Sequence, residues 1–342
     1  MANHLSKNQY KNLITDIGDL LKIGRKAAIK KVNSVLMETY WNVGKRIVEF
    51  EQAGIPKAEY GKELLKELSK DLGKQFGKGF SRTNLQYMRL LYVKYPKYQT
   101  LSGKLSWSHY IELLSISDDN SRSFYEKQCT HENWSVRELK RQRNSALFER
   151  LALSKNKKEV LELSQKGIVI EQSKDIIKDP YVFEFLNIPE NKQYSEKSLE
   201  NALIDKLGHF LLELGKGFAF VGQQYRITLN NTHYYVDLAF YHRILKCFVL
   251  IDLKTGKVNH QDIGQMNLYL NYFKQEENMD DDKDPIGIIL AADKDEILVE
   301  YATGSISNHL FVSKYQLYLP DKALLEEKIR LFLDQEDMRD DE

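Results

Sequence analysis

The 342-residue sequence predicts an α+β multidomain protein, an all-helical N-terminal domain followed by an α/β domain. Three observations carry that expectation. Over residues 9–150 apolar positions recur at spacings of three and four, the helical period. Beyond residue 180, short apolar runs bounded by turn residues alternate with helical stretches. The charge also changes sign along the chain: residues 1–160 hold 30 Lys and Arg against 17 Asp and Glu, and the rest hold 20 against 32. Such an asymmetry marks two domains with different jobs, the first attractive to polyanions.

The helical part opens on Leu13, Ile17, Leu20 and Leu21, continued by Val32, Val35, Leu36 and Tyr40. Stop signals follow at Gly54–Pro56 and Gly73–Gly79. Ser81 is then placed to cap a helix that ends before Pro96, and further helices are expected around LSWSHYIELLSI and SRSFYEKQ. Ser135 with Glu138 has capping-box spacing at the start of the last one. The charge-rich stretch 154–180 reads as a linker between a domain at 1–153 and one at 181–333, and residues 334–342 as an acidic tail. In the second domain KSLENALIDKLGHFLLELG reads as one amphipathic helix ended by Gly215. GFAFVGQQYRITL, HYYVDLAFYH and KCFVLIDLK read as three strands, QDIGQMNLYLNYFKQ as a helix and PIGIILAAD as a buried strand.

No stretch approaches the 18 apolar residues of a membrane span, and the first residues lack the apolar core of a signal peptide. Cys129 and Cys247 have no metal-ligand spacing, which suits a reducing compartment. A cytoplasmic protein without a membrane partner is the expectation.

Two strands carry the chemistry. If they pair antiparallel about the turn at His242–Lys246, residues whose numbers sum to 489 face each other, and Asp237 meets Asp252. Carboxylates so placed have Cβ atoms roughly 4.5–5.5 Å apart. Lys254 lies two residues beyond Asp252 on the same face, while Leu253 points into the other layer. Close carboxylates repel unless a cation lies between them. Carboxylate oxygens with open positions suit Mg²⁺, which uses one or two protein ligands together with substrate phosphate. A lysine alongside can orient or deprotonate a water, or neutralise charge developing on a phosphate. That combination suits phosphodiester hydrolysis, with Asp237 and Asp252 as metal ligands and Lys254 as the third catalytic residue. For any one of these acids taken alone, an exposed Asp–Lys pair at a strand end is the simpler reading. The joint pattern is what favours chemistry.

Asp237 followed by Asp252-Leu253-Lys254 at the end of an apolar strand resembles the PD-(D/E)XK signature. The helix, three strands, helix and strand over 197–292 match that superfamily's α-β-β-β-α-β order. The resemblance therefore implies a restriction-endonuclease-like α/β domain with a central mixed sheet. It also implies an acid from the first core helix, which here is Glu200, and support from Gln265 and Tyr269 on the helix after the third strand, in contact with the nucleic acid backbone. Val236 stands where the pattern has proline, and Asp252 where many members carry Glu. YWNVGKRI, LSKDLGKQFGKGFSRTNLQYMRLLY, LSWSHYIELL and NWSVREL resemble the N-terminal domain of the YhcG-like nuclease family, so the likeness extends over nearly the whole chain.

In the N-terminal domain, Arg82, Asn84 and Arg89 lie on the serine-capped helix, where they can reach phosphates or base edges. Arg137, Lys140 and Arg141 have the spacing of a phosphate-tracking ridge. Solvated helix faces are the plain alternative in both places. Trp41, Trp107, Trp134 and His109 read as core residues. The whole sequence thus predicts a Mg²⁺-dependent endonuclease or deoxyribonuclease, a hydrolase of ester bonds in which Mn²⁺ could replace Mg²⁺. Its partner would be nucleic acid, DNA first. Cleavage of both strands would suit a homodimer. The rival reading is a catalytically silent nuclease-fold subunit that binds DNA, or an adaptor in a defence or mobile-element complex.

Overall fold

The computed structural model describes residues 7–53, 58–153, 155–189, 194–295 and 309–340. Contacts divide the chain into two units, Met1–Lys140 and Arg141–Glu342. Across that division the charge asymmetry persists: 24 Lys and Arg against 15 Asp and Glu in the first unit, 26 against 34 in the second.

The first unit is helical, as expected. It holds α1 (Lys7–Ala53), α2 (Ala58–Phe76), α3 (Arg82–Lys94), α4 (Trp107–Leu114) and α5 (Asp119–Glu132), and the start of α6 (Val136–Asn144). The Ser81 hydroxyl accepts from Asn84 N at 3.2 Å and starts α3; the Ser135 hydroxyl accepts from Glu138 N at 3.2 Å and starts α6. Ile47, Leu65, Leu85 and Met88 form a core that joins α1, α2 and α3. Trp41 Nε1 donates to the Tyr95 carbonyl at 2.7 Å and Trp107 Nε1 to Asn84 Oδ1 at 2.8 Å, so both rings are anchored within the unit. His109 bonds the Ser106 hydroxyl at 2.8 Å and the Trp134 carbonyl at 3.0 Å, which makes it a structural residue.

Helices α1 and α3 approach closely at Gly44, where any Cβ would overlap the Met88 carbonyl of α3. Gly44→Ala is expected to destabilise the first unit by about 1–3 kcal/mol, the usual cost of overpacking. Gly73→Ala on α2, where a Cβ meets nothing within 4 Å, is the control and should be neutral or better. Urea unfolding of the two variants checks this.

The second unit adds α7 (Leu147–Ala152), α8 (Lys157–Lys166), α9 (Glu196–Asp205), α10 (Leu207–Leu214), α11 (His260–Tyr272) and α12 (Lys322–Asp340). Its strands are β1 (Tyr181–Val182), β2 (Phe218–Leu229), β3 (Thr232–His242), β4 (Cys247–Lys257), β5 (Ile286–Asp293) and β6 (Leu310–Gln316), in one sheet of order β1-β6-β5-β4-β3-β2. The β2–β3 and β3–β4 pairs are antiparallel and the other three are parallel, which is the mixed sheet expected. One face packs Phe240, Val249, Ile251 and Leu253 against Leu199, Leu203, Phe210 and Leu214 of α9 and α10. The other packs Ala239, Leu250 and Ile289 against Ile263, Met266 and Tyr269 of α11. Gly287 lets α11 lie close, since a Cβ there would come within 2.7 Å of Met266.

Three expectations differ from the fold. Residues 154–180 are not a free polar stretch as far as they are described: α8 is amphipathic, and Val160, Leu163 and Ile176 are buried. The helix expected over 197–215 breaks at Lys206 (φ −113°, ψ 27°), next to helix-weakening Gly208. The break turns Phe210 and Leu214 inward beside Leu199 and Leu203. The acidic tail is not separate either, since α12 runs on to Asp340.

Candidate active site

Strand β4 is the buried spine of the sheet, and its pairing with β3 runs from His242↔Cys247 to Leu238↔Ile251. Every pair sums to 489, the expected register. The ladder ends one step short of Asp237 and Asp252, where the strands part. Asp237 Oδ2 then accepts from Leu253 N at 2.8 Å, so a side chain takes the donor that a continuing ladder would have used. Asp252 is 2% exposed. Lys254 Nζ lies 3.4 Å from Asp252 Oδ2, and Leu253 enters the opposite apolar layer as the period-two argument requires.

Other elements converge on this point. Glu200 of α9 is buried, and Gln224 of β2 donates from Nε2 to Glu200 Oε2 at 2.8 Å and to Asp237 Oδ1 at 3.1 Å. One amide thus bridges two carboxylates. Gln224 has φ 48°, the left-handed region that few side chains adopt, and it follows the register shift of the β2–β3 pairing between Phe220 and Gly222. Lys254 is drawn further by Asp262 Oδ1 of α11 at 3.6 Å and Glu196 Oε2 of α9 at 3.8 Å.

The electrostatics follow from burial and like charge. Burial raises Asp252 above the ordinary carboxylate range, and the neighbouring Asp237 raises it further. Burial raises Asp237 too, against the pull of the Leu253 N–H and Lys254. Glu200 rises by burial and then by Asp237. Burial alone would lower Lys254, but Asp252, Glu196 and Asp262 together outweigh it and hold the ammonium form. Lys254 is therefore held as a donor among these carboxylates.

The donor set fits a hard divalent cation. It is all carboxylate oxygen, too negative for its burial, and Glu200 Oε1 is buried with no hydrogen-bond partner. Among the described residues no three His, Cys, Asp or Glu side chains close into a protein-only cage.

Residues 174–330 match the YhcG PDDEXK nuclease domain, and residues 16–150 match the DUF1016 N-terminal domain. The chain is 38% identical over 354 residues to a curated protein of Escherichia coli (strain K12) named "Putative nuclease YhcG", with 94% of each covered. The chain belongs to the YhcG family. Two solved structures also match, a repair endonuclease from Pyrococcus abyssi (18% identity, TM-score 0.25) and an EndoMS–double-stranded DNA complex (15% identity, TM-score 0.26). Each covers 39% of this chain and 50% of its own, and superpositions that loose carry no further argument.

Of the residues expected at a YhcG-family site, Asp237, Asp252, Lys254 and Glu200 come together. Gln265 is exposed on α11 and donates to the Tyr269 hydroxyl. Tyr269 itself is fully buried and donates to the Tyr235 carbonyl at 2.9 Å, so it braces α11 against β3 and is not exposed for a backbone contact. Three expected nucleic-acid contacts are engaged in the fold. Asn84 bonds Gly79 and Trp107. Arg89 Nε lies 2.7 Å from Glu51 Oε2. Arg141 Nε lies 2.9 Å from Glu184 and its Nη2 3.2 Å from Glu213, which removes it from the ridge expected with Arg137 and Lys140. Arg82, Arg137 and Lys140 are exposed.

Sequence reading missed Gln224, Glu196 and Asp262. Gln224 had a findable signal, because the β2–β3 register sums to 461 through most of its length and sets Gln224 opposite Asp237. Asp262 had one as well: it is the third residue of α11 and completes a capping box with Asn259, which fixes it at the helix start beside β4. Glu196 depends on where α9 packs and had none.

Proposed function

We propose that this YhcG-family protein hydrolyses phosphodiester bonds in nucleic acid, DNA first, with Mg²⁺ or Mn²⁺ held by Asp237 and Asp252 and with Glu200 assisting directly or through water. The observation that carries the reading is the carboxylate pair at the parting of β3 and β4, Asp252 buried and Asp237 half-buried, with Lys254 beside it. When bound, the cation would neutralise the paired carboxylates and draw charge from a phosphoryl oxygen. Lys254, kept protonated by Asp252, Glu196 and Asp262, would donate to the phosphoryl oxygens as negative charge grows on them. Gln224 would fix the Asp237 and Glu200 carboxylates. A water oxygen forms the new bond to phosphorus, and the bond to the leaving sugar oxygen breaks.

The test incubates the full chain with linear, single-stranded and branched DNA under Mg²⁺, Mn²⁺ or EDTA, beside Asp252→Ala and Lys254→Ala. Metal-dependent cutting lost in both variants supports the reading. Binding without cutting, unchanged in both, supports the silent scaffold instead.

The exposed basic residues Arg82, Arg137 and Lys140 are proposed as phosphate contacts. Counterion release gives a log–log salt slope of about −0.9 per phosphate neutralised on duplex DNA. Arg137→Ala with Lys140→Ala is therefore expected to flatten the slope by about two such contacts. A salt titration of DNA binding checks this, and an unchanged slope would remove the two residues from the interface.

A further inference from the structure

The 47-residue helix α1 is two different helices in what surrounds it. From Met37 onward it is built into the first unit: Met37, Ile47 and Val48 are buried, and Gly44 touches α3. Before that, large apolar side chains stand in solvent. Leu13, Ile14, Ile17, Leu20 and Leu21 are 47–69% exposed, and Val32 and Val35 are 64% and 52% exposed. At 100° per residue these side chains, with Gly24 and Ala28, lie along one stripe. The stretch from Tyr10 to Leu36 is about 40 Å long at 1.5 Å per residue. Its apolar side chains, roughly half exposed, present on the order of 800 Å², close to what each partner gives to a standard stable interface. A bare face of that size on a folded protein marks an interaction surface.

We propose that this stretch pairs with the same stretch of a second copy, antiparallel, with the crossing centred near Leu20–Lys22. The direction comes from how size is distributed along the stripe. Its first half is large: Leu13, Ile14, Ile17 and Leu20. Just past the crossing it is small, Gly24, Ala27 and Ala28, before Val32 and Val35. An antiparallel copy lays the large residues on the small ones, so the helices approach closely and interdigitate. Asp19 and Lys22, paired on the opposite face, keep their exposed ion pair. A parallel copy sets small against small and large against large, which leaves a gap.

Sedimentation or light scattering of the full chain is the first measurement. The expected mass is twice the 40.0 kDa of one chain, falling to one chain in Leu21→Glu with unchanged helical circular dichroism. Direction is read by disulfide capture, for which the native Cys129 and Cys247 are buried and silent. Leu21→Cys lies at the crossing and is expected to link two copies. Leu13→Cys residues would lie about 24 Å apart and are expected not to link. A monomeric wild type, including one in which the stripe is covered within the same chain, overturns the proposal, as does a dimer that survives Leu21→Glu. Efficient capture by Leu13→Cys overturns the antiparallel arrangement.

Discussion

Asp252→Asn is expected to abolish metal-dependent cleavage and at the same time to raise the melting temperature of the metal-free protein. The two effects have one cause. Asp252 is 2% exposed and shares its end of the sheet with the Asp237 carboxylate, so the fold holds like charges where water cannot screen them. One lysine, shared with Asp262 and Glu196, does not balance both. Asn keeps the shape and removes one charge, and a gain of about 1 kcal/mol would raise the melting point by about 2–4 °C for a unit of this size. On the proposed mechanism the same change would remove a metal ligand and an element of transition-state stabilisation, for which losses on the order of 10³-fold are usual. Mg²⁺ gives an independent readout: it should stabilise the wild type, by about 2.7 kcal/mol at a hundredfold excess over its dissociation constant, and the variant far less. Thermal melts with Mg²⁺ and with EDTA, alongside a cleavage assay, decide the matter. A metal-free Asn variant less stable than wild type would show that the pair is not strained, and undiminished cleavage would remove Asp252 from the site.

Legibility in the sequence follows the range of the interaction. The Asp237–Asp252 register could be read because a short turn and two apolar strands fix it locally, and the observed pairs keep the same sum from His242 to Leu238. The caps at Ser81 and Ser135 are equally local. What could not be read depends on partners far along the chain. Strand β1 is two residues long and exists only because β6, more than a hundred residues later, pairs with it. Arg141 reads as one of three basic residues on a ridge, yet its carboxylate partners lie 43 and 72 residues away. Strand register puts Gln224 opposite Asp237, but its bridging geometry rests on a positive φ that no spacing reveals. Charged groups therefore divide into two kinds: those placed by strand period, which sequence finds, and those claimed by packing, which it does not.

Glu213 is of the second kind, and its removal should have the largest effect on stability. It is fully buried on α10, where Oε1 accepts from Arg150 at 3.0 Å and from Val182 N at 3.1 Å, and Oε2 accepts from Arg141 at 3.2 Å. Lys178 donates to its main-chain carbonyl. Burial works against the charge, but Arg150, Lys178 and Arg141 outweigh it and bring the carboxyl down from 4.5 to about 2. Glu213→Gln leaves Arg150 buried without its counter-charge, which is expected to cost about 3–5 kcal/mol at neutral pH. The pH profile tests the cause as well as the size. A carboxyl depressed in the folded state contributes stability that is fully present above its unfolded value of 4.5, and that is lost as pH falls toward about 2. Wild type should therefore lose stability across that window, with Glu213→Gln flatter across it and the two converging in acid. Urea midpoints measured from pH 7 to pH 2 would show this, and a Gln variant within 1 kcal/mol of wild type at pH 7 would rule it out. The same geometry separates two arginine phenotypes on one helix: Arg141→Ala should weaken the second unit, whereas Arg137→Ala should leave stability intact and change only the salt slope of DNA binding.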